Sequence, residues 1–407
     1  MSDYNIKILM PDYGDQPWNK DIIEYSYESS VFDPFDKLNI KIFPTTNHSN
    51  TIKNTFGPKR IQFYINNFLQ FDGKIGNQNI NSEGVITLTC KNYLNDMNVQ
   101  MFTGSVKLKQ SETILKGIER NTKHLGYGLI KTDWAPVKKQ RTGINFTPND
   151  TIANLAKGGT RCGKQIGGEW KPEKNEKVFD FIRRLIQRYN LFLHVSDSFP
   201  DYSLIVPNIS AVSTYSINRS HISQNSNILE SSIDRNWENV PTYIRYDGIV
   251  VSNTNGSANM STGTCEEDTT VKAEYLSKSV DKYFPTTEFD DLLQKDYVPV
   301  TGTTTKLYRP MIFKDDKSKN LGEIEKKRNL QIKKLFKDTL IVRYTIQGHK
   351  LNNKLICPDT IVQINDELTG INKDLYISDV SFSYNENDGP TTSIICYDPV
   401  NIDFTQD

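Results

Sequence analysis

The run DLYISDVSFSYNENDGPTTSIICYDP, residues 374–399, constrains this 407-residue chain more than any other stretch. Strand side chains point alternately to opposite faces, so an apolar–polar alternation on both sides of a glycine turn describes two half-buried antiparallel strands. Asn387-Asp388-Gly389 supplies that turn and predicts a hairpin. TLIVRYTIQGHK and DTIVQIND, just upstream, repeat the alternation, so the segment 339–407 reads as antiparallel sheet.

The start of the chain has the same character. IQFYINNFLQFDGKIG alternates Ile61, Phe63 and Ile65 with polar partners and is expected to turn at Asp72-Gly73. GVITLTCKNYL sets Val85, Thr87 and Thr89 on one side and Ile86, Leu88 and Cys90 on the other. A β block therefore opens the chain, and a second, 228–251 with the C-terminal strands, is split by an insertion. No short-period repeat is visible.

Between the blocks the period changes from two to about 3.6. TPNDTIANLAKGG carries a helix-start signal at 147–150 and two closing glycines, predicting a helix near 149–157. EKVFDFIRRLIQRYN predicts a stronger helix at 176–190, with Val178, Phe181, Ile182, Leu185 and Ile186 on one stripe. Arg183, Arg184 and Arg188 fall off the stripe and read as a solvated face. LFLHVSDSFPDYSLIVP reads as a hairpin. The polar stretch 252–270 reads as an exposed excursion and 322–338 as a charged helix. The fold class expected from this order is α+β and β-rich.

Several function classes lose support. Hydrophobic residues make up 36% of the chain, with 20 Tyr and 19 Phe, which excludes global disorder. Lys+Arg and Asp+Glu both number 49, so no global basic footprint for wrapping nucleic acid exists. The N-terminus lacks the basic-then-apolar pattern of a secretory signal, and no window is apolar enough to span a membrane, so folding in a cytoplasm without membrane insertion is expected. Five widely spaced cysteines predict buried free thiols rather than a disulfide framework or zinc site.

One stretch imitates a catalytic motif. GGTRCGKQ, residues 158–165, places Gly158, Gly163 and Lys164 on the register of a phosphate-binding loop, with Gln165 in place of the metal-binding hydroxyl. A helix-like segment precedes it and a Gly/Pro-rich stretch follows, the reverse of the strand–loop–helix context such loops need. It reads as a helix stop and a loop, with Lys164 an exposed cation. HLGYGLIK lacks the third glycine of a dinucleotide fingerprint and reads as a loop or hairpin. The five histidines are scattered, and His194 reads as a core or edge residue. No catalytic, cofactor-binding or metal-binding residue is expected. A nucleotide hydrolase using 158–165 and a cell-wall glycosidase remain the enzymatic alternatives.

The C-terminal order resembles the final domain of Mu-like phage baseplate hub proteins. The matching positions are Gly348, His349, Pro358, Val362, Leu375, Ile377, Val380, Phe382, Ser383, Gly389, Thr391 and Thr392, with Pro390 where the pattern often has a second glycine. FLQFDGKIG is similar to an early strand–turn–strand step through Phe71 and Gly73. The 176–197 stretch resembles a central helix and strand through Phe181, Arg184, Leu185 and Leu191, and 227–248 resembles the strand pair opening a second barrel.

This resemblance implies two small antiparallel tube-type β-barrel domains, at 1–98 and at 223–251 with 339–407. It also implies a small α/β domain at 99–222 and a peripheral insertion at 252–338. It implies a homotrimer forming a pseudo-six-fold ring at the centre of a contractile tail baseplate, located in the virion and assembled in the bacterial host cytoplasm. The partners implied are the tail tube protein, the central spike protein, baseplate wedge proteins and a tape-measure protein, with DNA only passing through the lumen. The near alternative is the hub of a type VI secretion or extracellular contractile injection system. Because the second β block lies close to Asp407, a separate spike chain is expected.

Overall fold

In the computed structural model, described residues are 5–13, 22–43, 58–101, 128–129, 160–161, 164–165, 175–186, 192–195, 201–205, 207, 209, 211–220, 228–236, 243–250, 269–276, 310–315, 331 and 333–402. The helix expected near 149–157, the stretch 252–268 and Leu191 lie outside them. The chain divides into two compact units.

The first unit opens with β1 (Ile6–Leu9), β2 (Ile22–Ser30), β3 (Lys37–Ile42), β4 (Arg60–Ile65), β5 (Phe68–Ile80), β6 (Ile86–Asn92) and a short helix α1 (Asn95–Val99). Alternation explains these strands: Ile61, Phe63 and Ile65 on β4 and Ile86, Leu88 and Cys90 on β6 are fully buried. The turn between β4 and β5 differs from expectation. It falls at Asn66-Asn67, whose φ angles are 51° and 66°, not at Asp72-Gly73. Asparagine tolerates the left-handed region that a two-residue hairpin loop requires at both positions. Asp72 and Gly73 instead lie inside β5. A Cβ on Gly73 would stand 2.4 Å from the Lys91 carbonyl oxygen and 2.5 Å from the Phe71 ring.

Next come β7 (Gly128–Leu129), β8 (Thr160–Arg161), β9 (Lys164–Gln165), helix α2 (Val178–Ile186), β10 (Phe192–Val195) and β11 (Asp201–Ile205). The predicted helix and hairpin both form. Val178, Phe181, Ile182 and Ile186 are buried as the stripe requires, and Phe179 joins them edge-on to Phe35 at 4.6 Å. β10 and β11 pair antiparallel, and β7 adds to β11 in parallel.

The chain continues through β12 (Tyr215–Arg219), β13 (Ile228–Asp234), β14 (Tyr243–Val250), β15 (Thr269–Leu276), β16 (Pro310–Asp315), β17 (Ile341–Gln347), β18 (Lys350–Leu351), β19 (Lys354–Leu355), β20 (Thr360–Asp366), β21 (Ile371–Asn385), β22 (Gly389–Tyr397) and a final helix α3 (Pro399–Ile402). The predicted C-terminal hairpin closes with Asn385 opposite Gly389, at φ +71°. Strands form over 228–250 as expected, but the two within 227–248 do not pair with each other. β13 pairs with β17, whereas both edges of β14 are taken by β15 and β16 in a separate three-stranded sheet of the second unit. β12, expected within the α/β segment, joins the large sheet because Tyr215 and Ile217 alternate into its core. In the second unit, residues 333–337 are helical.

The large sheet has twelve strands and contains one arrangement twice. Its first half runs β1-β4-β5-β6-β3-β2 and its second β12-β20-β21-β22-β17-β13. The agreement reaches individual residues. Cys90 faces Leu38 on one side and Ile75 on the other; Cys396 faces Val342 and Ile377. Both halves slip register at the same two places, between Ile75/Asn77 and Ile377/Asp379, and between Ile22/Glu24 and Ile228/Glu230. Each ends in a short helix, α1 or α3. The halves differ at the first strand, where β1 runs antiparallel to β4 but β12 parallel to β20.

The two halves join edge to edge. β2 pairs with residues 379–384 of β21, continuing the edge that β20 occupies along 371–377. Tyr344 on β17 donates to Asp366 on β20 at 2.9 Å although two strands lie between them, so the second half curls around its core. The strand path stays open among the described residues, and the two expected barrels are not seen closed. Gly73→Ala should cost about 1–3 kcal/mol by overpacking, measured by urea unfolding. Unchanged stability would contradict the close approach.

Candidate functional site

The features with the most concentrated polar chemistry lie where the halves of the large sheet meet. Tyr25 on β2 is 1% exposed, and its hydroxyl is 2.6 Å from Nε2 of His349, which is fully buried just after β17. Nδ1 of His349 is 3.0 Å from the Thr392 hydroxyl, which itself donates to the Gly348 carbonyl at 2.7 Å. That last bond uses the Thr392 proton, so Thr392 accepts from the ring. The network therefore assigns a neutral His349 with its proton on Nδ1, accepting from Tyr25 at Nε2. Burial pushes the His349 pKa down to about 4 from its ordinary 6.5, partly offset by hydrogen bonding of the ring to the backbone carbonyls of Gly348 and Thr391. Aromatic rings surround the link. Tyr25 lies 5.0 Å from Phe63, Tyr27 lies 6.0 Å from Phe382, and His349 lies 4.9 Å from Phe382.

A second network holds the later half together. Asp366, 1% exposed, receives Arg219 through two bonds of 2.8 and 2.6 Å, together with the Tyr344 hydroxyl. Burial alone would raise its carboxyl, but the bonds from Arg219, Thr369 and Tyr344 outweigh that and hold it at about 2. Arg219 also reaches Ser231 on β13 at 2.7 Å. In the first half, Arg60 grips Asp72 in the same two-pronged way, at 3.0 and 2.5 Å. Both charges are paired, as burial demands.

Most of the sequence-marked positions converge here. Val380 and Phe382 are 1% exposed, Phe71 is 2% exposed, and Gly348 and His349 are buried. Thr391 bonds Ser383 across the hairpin at 2.7 Å. Phe71 and Pro358 line a groove of about 780 Å³ walled by the β4–β5 turn and the Lys350–Pro358 segment. Phe181 is buried on α2, away from this junction, and the side chains of Arg184 and Leu185 lie outside the described residues. Tyr25, Arg219, Tyr344 and Asp366 were not anticipated. The alternation in IIEYSYESS could have marked Tyr25, whereas the ion pair bridges 147 positions and leaves no local trace.

The buried histidine has its neighbours fixed by hydrogen bonding, and among the described residues no cluster of His, Cys, Asp and Glu could hold a metal ion. Within the phosphate-loop imitation, Thr160 pairs with Gln165 and Arg161 with Lys164 in antiparallel fashion. The helix stop and loop expected over 158–165 is corrected to this extent: Lys164 lies in a short strand, β9. Burial pushes the Cys90 and Cys396 thiols up, but Cys357 is exposed, contrary to the expectation for all the cysteines. Cys162, Cys265 and the His194 side chain lie outside the described residues. Among those residues no helix is long and apolar enough to cross a membrane.

The fold is shared with tail proteins. The chain is similar to a tail protein from Neisseria meningitidis MC58, at TM-score 0.66 and 14% identity over 99% of both chains. It is similar to the 43 kDa tail protein of prophage MuSo2 from Shewanella oneidensis, at 0.65 and 13% over 98% of this chain and 99% of that one. It is also similar to prophage tail protein gp18 from Listeria monocytogenes, at 0.52 and 13% over 96% and 94%. No protein-family model matches the chain, and no curated protein does.

His349 is neutral when folded and protonates more readily when unfolded. Its contribution is full above pH 6.5 and is lost as pH falls toward 4, a loss of roughly 3 kcal/mol. Denaturant titrations across that range should show the decline. Tyr25→Phe should cost about 1–3 kcal/mol at neutral pH. A flat profile from pH 7 to 4 would contradict the assignment.

Proposed function

We propose that this protein is the structural hub of a contractile phage tail baseplate, a homotrimer whose paired sheet halves form a pseudo-six-fold ring. The observation that carries this reading is the repetition of one strand order and register within the chain. Three copies of a two-fold repeat present six nearly equivalent units while keeping three-fold symmetry elsewhere. Such a ring can adapt a hexameric tail tube on one side to a trimeric spike on the other. In this reading the curled halves act as two tube-type barrel domains, the wedge proteins surround them, and DNA passes only through the lumen. The protein belongs in the virion tail and has no catalytic duty. Its fold likeness to tail proteins, two of them from prophages, supports this placement.

Mass measurement of the purified protein at tens of micromolar should give three times the chain mass, with binding to tube and spike proteins. A strict monomer without affinity for either would contradict the proposal.

A further inference from the structure

Strand direction fixes which connections share an end of the large sheet. Four antiparallel steps, β5-β6-β3-β2-β21, separate β5 from β21, so the two run the same way. Each then turns back, into β6 and into β22, at the same end. These turns are counterparts: the register that sets Ile75 opposite Cys90 sets Ile377 opposite Cys396, and both strand pairs slip just beyond. β3 ends and β4 begins at this end, and β17 ends and β20 begins there too, so a second pair of connections shares it.

The two turns match in construction as well. Asn81 Oδ1 accepts the Glu83 and Val85 N–H groups at 3.0 and 2.9 Å, and Asn385 Oδ1 accepts those of Asn387 and Asp388 at 2.9 and 2.8 Å. A glycine with positive φ closes each, Gly84 at +86° and Gly389 at +71°. Both present exposed acidic side chains, Glu83 in one and Glu386 and Asp388 in the other. The opposite end is unlike in the two halves. There the connection from β2 to β3 is 31–36, whereas its counterpart from β13 to β17 is 235–340.

We propose that the end carrying the 81–85 and 385–389 turns is the face on which the hexameric tail tube docks, each turn meeting a basic surface of one tube subunit. A six-fold partner can use only what a three-fold ring offers twice per chain, and this end repeats where the other does not. Opposite charges across such a contact guide encounter and fix its register. The inference rests on the trimeric reading above and adds the polarity of the ring, with the tube at the hairpin end and the spike at the other.

The test measures binding of the full chain to the tail tube protein and to the spike protein of the same phage, each purified separately. Glu83→Lys with Glu386→Lys should weaken tube binding about tenfold and reduce its salt dependence. Spike binding, the trimer mass and the Tm should stay unchanged. Either substitution alone should fall between, because half of the turns keep their charge. Short flexible insertions after Ser82 and after Asn387 block the face by bulk and should abolish tube binding alone. If the insertions act and the reversals do not, the face stands and its acidic chemistry is overturned. Loss of spike binding instead of tube binding, or no loss of either, would overturn the polarity while leaving the hub standing. An unaltered chain that is monomeric and binds neither protein would overturn the hub reading itself.

Discussion

The pairing of β2 with β21 is the contact on which the architecture depends, because it turns two sheets far apart in sequence into one. Backbone hydrogen bonds alone would allow the strands to slip by two residues and keep their inward faces apolar. Side chains remove that freedom. Tyr25 can reach His349 in only one register, and His349 is held from behind by Thr392 and the Gly348 carbonyl. A shift would leave a buried imidazole nitrogen without its hydroxyl, which costs more than the bond contributes when made. The surrounding rings supply apolar burial, and the polar link supplies the register.

The two halves keep a common strand order with little common sequence. At equivalent core positions Leu38, Ile40 and Ile42 stand against Val342, Tyr344 and Ile346. Inward direction and burial are retained while size and chemistry change, so each half packs its own core. The polar insertions differ too. The first half fixes Arg60 to Asp72 between neighbouring strands, whereas the second ties Arg219, Ser231, Tyr344 and Asp366 across the curled sheet. The Tyr344–Asp366 bond spans the interior, so it resists flattening of the second half.

Alternation made the strands around the two ends of the chain legible, as did the helix over Val178–Ile186 and the hairpin before Gly389. The Asp72-Gly73 pair misled because the same two residues serve another purpose: an ion pair needs the carboxylate, and close approach of Lys91 needs the missing Cβ. Asn66-Asn67 was the turn signal. The internal repetition was invisible because insertions separate β13 from β17 and because it is carried by burial and register, not residue identity. His349 was marked by a resemblance, yet its partner Tyr25 lies 324 positions away, beyond any local pattern.

Repetition within the chain and rotation between chains together make the central claim, and they meet in one observable. End-on electron micrographs of the purified oligomer, averaged without imposed symmetry, report rotational order directly. The account predicts an inner ring with six-fold rotational power inside a periphery that is only three-fold. A two-fold particle, or a three-fold particle without a six-fold inner component, would contradict it.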